Sequence, residues 1–123
     1  MIKIAIVEDE FSQTELMREY VARYCKEKNI KYSITTFGNG MDFVTGYRPG
    51  FDAVFMDIKM PLIDGMEAAE KLREVDKDVV LIFVTNMAQL AIKGYKVNAM
   101  DFMVKPVSYF DFSLEMDKIC AEH

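Results

Sequence analysis

A few residue types in this chain could do chemistry together. Glu8, Asp9 and Glu10 are consecutive carboxylates near the start. Asp57 closes an apolar run, Thr85 puts a hydroxyl at the end of another, and Lys105 supplies an ammonium just before Pro106. Carboxylates brought close together repel unless a proton or a cation intervenes. Lys105 could offset one negative charge but not a cluster. Oxygen ligands without imidazole or thiolate suit a hard ion, and a few carboxylates completed by water suit Mg²⁺ (or Mn²⁺). The single histidine is the last residue, His123, and the two cysteines, Cys25 and Cys120, are far apart. Histidine therefore has no catalytic or zinc-binding role in the body of the chain, and Ser-His-Asp and Cys-His chemistry are excluded there. The cysteines read as small buried hydrophobes in a reducing cytoplasm.

Those residues need elements to hold them. Ile2–Val7 is a short apolar, β-branched run and reads as a strand. From Phe11 to Lys28, Leu16, Met17, Tyr20, Val21, Tyr24 and Cys25 recur on one stripe of a helix. Tyr32–Phe37 reads as an edge strand with one wet face, and Met41–Tyr47 as a short helix. Ala53–Asp57 is a third strand. Asp64 followed by Glu67 resembles an N-cap and its box partner for a helix to about Glu74. Val79–Val84 is wholly apolar, as a strand buried on both faces is. Asn86–Tyr95 reads as a helix, Met100–Val104 as a fifth strand, and Ser108 as the cap of a last helix to about Cys120. Strand and helix alternate five times, which predicts right-handed crossovers and a parallel sheet covered on both faces. Ligands of such sheets bind beyond the carboxyl ends of the strands. Glu8, Asp57, Thr85 and Lys105 stand at the ends of four strands. Each alone would read as a solvated side chain or a helix cap; their joint arrival at one edge points to a site.

The chain has 123 residues, a formal net charge of -5 and 51% hydrophobic residues. That apolar content excludes general disorder. The acidic balance makes it a poor binder of nucleic-acid backbone or anionic membrane. The longest apolar stretch, Val79–Val84, is far short of the roughly 20 residues that span a bilayer. No signal-peptide pattern precedes the first strand, so a cytoplasmic domain is expected.

Four segments then become specific: IAIVEDE (4–10), DAVFMDIKMPLIDGME (52–67), LIFVTN (81–86) and AMDFMVKPV (99–107). With 48 residues from Asp9 to Asp57, 28 on to Thr85 and 20 on to Lys105, the chain resembles the receiver domain of a two-component response regulator. VTN, GYKVNAMDFMVKPV and SYFDFSLEMDKI further resemble receivers that precede a LytTR-type DNA-binding domain. The expected fold is α/β, a doubly wound (βα)5 unit with five parallel strands in the flavodoxin-like order 2-1-3-4-5. The receiver would occupy residues 1–121, with 122–123 a tag remnant or truncated linker.

The resemblance implies roles. Asp57 would be the phosphoacceptor, taking a phosphoryl group from a sensor histidine kinase or a small acyl phosphate. Asp9 would bind Mg²⁺ (or Mn²⁺) directly, Glu8 through water, and Lys59 through its backbone carbonyl. Thr85 and Lys105 would hold phosphoryl oxygens. Position 8 is Glu where many receivers have Asp. Thr85 and Phe102 would form a switch, with Phe102 as plain core the opposing reading. Pro106 would be structural, in the cis Lys-Pro bond typical of the family. Such a domain is a phosphoacceptor with self-catalysed phosphorylation and dephosphorylation, not an enzyme in the ordinary sense. Its output would be transcription control through a DNA-binding domain absent from this chain. A homodimer is expected through the face made by the Asn86–Tyr95 helix, the fifth strand and the last helix. The alternative is a stand-alone receiver or scaffold acting by protein contact. A flavodoxin-type module would need a Ser/Thr/Gly-rich loop where Glu8-Asp9-Glu10 stands, and a haloacid-dehalogenase-type phosphatase would need Asp-x-Asp there.

Overall fold

The computed structural model describes residues 1–86 and 96–122. Five strands, β1 (Ile2–Val7), β2 (Tyr32–Phe37), β3 (Ala53–Met56), β4 (Val80–Thr85) and β5 (Asp101–Val104), form one sheet in the order β2-β1-β3-β4-β5. Every neighbouring pair is parallel. The described helices are α1 (Phe11–Lys28), α2 (Gly40–Gly46), α3 (Gly65–Val75) and α4 (Tyr109–Glu122). The expected class and strand order are borne out. The helix expected over Asn86–Tyr95 lies, from residue 87 on, outside the described residues.

Successive strand side chains point to opposite faces, and the cores divide accordingly. Ile4 and Ile6 of β1, with Phe55 and Ile82, meet Met17, Val21, Phe112 and Met116 of α1 and α4. Ala5 and Val7, with Val54 and Phe83, meet Phe43, Ala68 and Leu72 of α2 and α3. Burial of each such side chain contributes roughly 1.5–3 kcal/mol. The rings of Phe55 and Phe112 stack with centroids 5.3 Å apart, fixing α4 to the middle of the sheet.

Side-chain caps set three helix starts. Asn39 accepts from the Asp42 amide at 2.7 Å, Asp64 from the Glu67 amide at 2.8 Å, and Ser108 from the Asp111 amide at 3.1 Å. The last two match the sequence reading; Asn39 moves the start of α2 to Gly40. Asp57, Val79 and Met100 fall just outside their strands, and α4 runs past Cys120. Cys25 is buried but Cys120 only partly so, and both are free thiols. The strand register aligns Val7 with Met56, Met56 with Phe83, and Thr85 with Val104. The residues that follow these ends are thereby delivered to one edge.

Candidate functional site

Glu8 and Asp57 leave the sheet side by side because the ladder continues one residue past each strand. The Asp57 amide donates to the Val7 carbonyl at 3.0 Å, and the Glu8 amide to the Phe37 carbonyl at 3.0 Å. Their side chains are nearly enclosed, at 5% and 6% exposure, while Asp9 is open to solvent. One carboxylate oxygen from each of Glu8, Asp9 and Asp57 lies within 4.8 Å of the other two. A groove of about 260 Å³ opens beside Glu8 and Asp9, between the start of α1 and the end of β2.

Lys105 closes the cluster from the far side. Its amide donates to the Thr85 carbonyl at 2.9 Å, so its backbone is set by the last rung of β4 and β5. Its ammonium donates to Glu8 Oε1 at 2.7 Å and to Asp57 Oδ2 at 3.0 Å. Such charge-assisted bonds are the strong ones. Burial pushes the Glu8 carboxyl up to about 7, although the Lys105 hydrogen bond pulls the other way. Burial works against the charge on Lys105, but its bonds to Glu8 and Asp57 outweigh that and raise its pKa above the ordinary value. The second oxygen of Glu8 accepts from the Glu10 amide at 3.1 Å, so both Glu8 oxygens are engaged.

Asp57 differs: its Oδ1 is buried with no hydrogen-bond partner among the described residues. An unsatisfied buried acceptor costs about 1–3 kcal/mol, a cost that a cation or donor would relieve. Three carboxylates face one ammonium, one carboxylate oxygen is orphaned, and the donors are all oxygen. This set fits a hard divalent cation such as Mg²⁺.

The remaining expected residues lie around this cluster. Thr85 is fully buried at the end of β4. Lys59 is exposed in the loop after Asp57. The Lys105-Pro106 bond is cis. Phe102 is 40% exposed, against the plain-core reading of it, although its pairing with Phe83 puts it on the sheet face that carries the α2 and α3 core. Sequence reasoning passed over Gly65. A Cβ there would sit 2.0 Å from the Asp57 carbonyl oxygen and 2.8 Å from Ile58 Cα. Its amide donates to the Ile58 carbonyl at 2.6 Å. Only glycine lets the start of α3 press against the backbone that carries Asp57. The Asp-Gly pair after Pro61 was the available signal.

Residues 4–113 match the response regulator receiver domain family. The chain belongs to that family. The receiver is 32% identical over 123 residues to the sensory transduction protein LytT of Oceanobacillus iheyensis, covering 96% of this chain and 48% of LytT. It is 28% identical over 106 residues to the transcriptional regulatory protein YpdB of Escherichia coli, covering 85% of this chain and 42% of YpdB. It thus spans about half the length of these curated relatives. LytT among them bears out the likeness to LytTR-type receivers. The structure of the response regulator TrrA from Thermotoga maritima, in complex with Mg²⁺-BeF, superposes with a TM-score of 0.83 at 28% identity, covering 97% of this chain and 99% of that one. The non-phosphorylated HemR receiver domain from Leptospira biflexa also gives 0.83, at 25% identity, covering 97% and 94%. No helix among the described residues is long and apolar enough to cross a membrane.

Proposed function

We propose that this receiver accepts a phosphoryl group on Asp57 from a sensor histidine kinase, or from a small acyl phosphate, and relays the change to an output domain. The supporting observation is the orphaned Oδ1 of Asp57 beside two further carboxylates and one enclosed lysine. An Asp57 oxygen attacks phosphorus; the new O–P bond forms as the bond to the donor's nitrogen or oxygen breaks, and the donor leaves with that electron pair. The product is an aspartyl phosphate. Phosphoryl transfer is largely positioning and charge neutralisation. Glu8, Asp9, Asp57 and the Lys59 backbone carbonyl would hold Mg²⁺ (or Mn²⁺), Asp9 directly and Glu8 through water. When bound, the ion offsets the charge that carboxylates and phosphate would otherwise share. That both Glu8 oxygens are already engaged supports its indirect role. Lys105 and Thr85 hold the phosphoryl oxygens.

Phosphorylation adds charge and strong acceptors next to the end of β4. The switch we propose has Thr85 moving toward the phosphoryl group and Phe102, now outside the core, turning inward. The face carrying β5 and α4 is then the dimer or partner surface. The output is a DNA-binding domain in the part of the protein beyond this chain, acting in the cytoplasm. The experiment is intact mass after incubation with acetyl phosphate and Mg²⁺, which should rise by one phosphoryl group. No mass increase would overturn the reading. In the same experiment with beryllofluoride, Thr85→Ala should bind the mimic but shift its oligomeric state less than wild type.

A further inference from the structure

The chain leaves the sheet at Lys105 with little backbone support. The Lys105 amide makes the last rung, to the Thr85 carbonyl at 2.9 Å, and the first bond of α4 runs from the Phe112 amide to the Ser108 carbonyl at 3.0 Å. Pro106 lies between and has no N–H to give. Val107 is 5% exposed, and its carbonyl precedes the first acceptor of the helix. A carbonyl so enclosed needs a donor. The donor is Tyr20 of α1, 87 residues away in sequence, whose hydroxyl lies 2.8 Å from the Val107 oxygen. The Tyr20 ring is itself held. It meets Tyr109 edge-on with centroids 5.5 Å apart and Phe112 at 5.5 Å. The hydroxyl therefore cannot follow the loop if the loop moves.

We infer that Tyr20 is a positioning residue for Lys105. By pinning the Val107 carbonyl it fixes the path of residues 105–108 and so the point from which the ammonium reaches Glu8 and Asp57. The inference rests on the phosphoacceptor reading of that site. It makes α1 a common ruler for both halves: the helix starts next to the carboxylates of Glu8, Asp9 and Glu10, and two turns on it sets the exit of the lysine strand. Without the hydroxyl, a buried carbonyl loses its donor and the loop relaxes toward water. The lysine then meets an incoming phosphoryl group less well placed, while Glu8, Asp9 and Asp57, which would take the cation, stay anchored to the ends of β1 and β3.

The test is the affinity for beryllofluoride in saturating Mg²⁺, beside the affinity for Mg²⁺ alone. Tyr20→Phe keeps the ring and removes only the donor. Its beryllofluoride affinity should fall about three- to tenfold, the worth of one hydrogen bond, with no loss of Mg²⁺ affinity. Tyr20→Met, which drops the hydroxyl but keeps apolar bulk, should act in the same direction. In a Lys105→Ala background, Tyr20→Phe should have no further effect, since the positioned group is gone. An unchanged beryllofluoride affinity in Tyr20→Phe would overturn the role. So would an equal loss with and without Lys105, or a parallel loss of Mg²⁺ affinity, since each marks general loosening. A wild-type chain that binds no beryllofluoride at all would instead remove the phosphoacceptor reading, and this inference with it.

Discussion

Two clusters in this molecule join two carboxyls to one lysine. Glu8, Asp57 and Lys105 meet where β1, β3 and β5 end; Asp101, Glu115 and Lys118 meet on the flank where β5 packs against α4. Both contain a buried carboxyl oxygen without a hydrogen-bond partner among the described residues, Asp57 Oδ1 in one and Glu115 Oε1 in the other. Both contain a glutamate pushed up to about 7, in each case chiefly by burial. They part at the lysine. The Lys105 side chain is 10% exposed and reaches both carboxylates within 3.0 Å. The Lys118 side chain is 52% exposed, at 2.9 Å from Asp101 and 3.6 Å from Glu115. On the flank, burial works against the charge on Asp101. Hydrogen bonds from Glu115, Lys118 and the Phe102 amide outweigh it and hold Asp101 below its ordinary value. There one lysine faces two carboxyls, and burial favours the protonated form of the glutamate. At the strand ends a third carboxylate, Asp9, leaves more negative charge than Lys105 offsets among the described residues. A strained, buried carboxyl is thus not by itself a site; a site needs uncancelled charge with an opening to solvent.

That contrast is easiest to break with acetyl phosphate. Asp57→Asn should lose the mass increase entirely, whereas Glu115→Gln, a change remote from the reacting atoms, should keep it within about twofold. Equal effects would erase the distinction between the clusters. Next in size is the cation. Excess chelator should slow phosphorylation by about 100-fold or more, the scale of losing one electrostatic stabiliser. Added Mg²⁺ should raise the melting temperature of wild type and of Asp101→Asn, but not of Asp9→Ala. If Asp9→Ala still responds, the carboxylates at the strand ends are not the ligands.

The lysines give a smaller contrast. Lys105→Ala leaves Glu8 facing Asp57 unpaired and should cost about 3 kcal/mol in urea unfolding, as removing one partner of a buried pair does. Lys118→Ala removes an exposed partner, and its unfolding midpoint should match wild type. The smallest effect concerns pH. The folded-state pKa of Glu115 is raised from 4.5 to about 7, so between those values the folded chain binds more protons than the unfolded one. Stability should therefore fall as pH rises from about 4.5 to about 7. Glu8 contributes with the same sign. Glu115→Gln stays neutral and should remove roughly half of that slope, on the order of 1 kcal/mol, visible as a flatter plot of melting temperature against pH. An unchanged slope would place the titration in Glu8 alone.

Much of this was legible before any coordinates. The apolar runs and their breaks gave the strands, and each candidate residue stood just past one. Asp64 and Ser108 announced their helices because capping is local chemistry. The engagement of both Glu8 oxygens, the orphaned oxygen of Asp57, and the Tyr20 bond to Val107 were not legible. Each depends on side chains brought together across tens of residues, and nothing near either partner signals the other. Phe102 was ambiguous for the same reason: register puts it on the face of Phe83, but how far a residue of a four-residue edge strand is covered depends on segments distant in sequence.

The Gly65 amide and the Ile58 carbonyl, 2.6 Å apart, close residues 58–65 into a ring whose base holds the Asp57 backbone. Inside that ring Ile58, Met60 and Ile63 are buried, while Lys59, Pro61 and Leu62 stand outside. Leu62, at its tip, is 80% exposed with φ of 72°, a left-handed conformation that glycine or asparagine would adopt with less strain. The outer positions can therefore change while the base stays fixed. Such a loop lets the exposed tip vary in sequence with the Asp57 backbone left where it is.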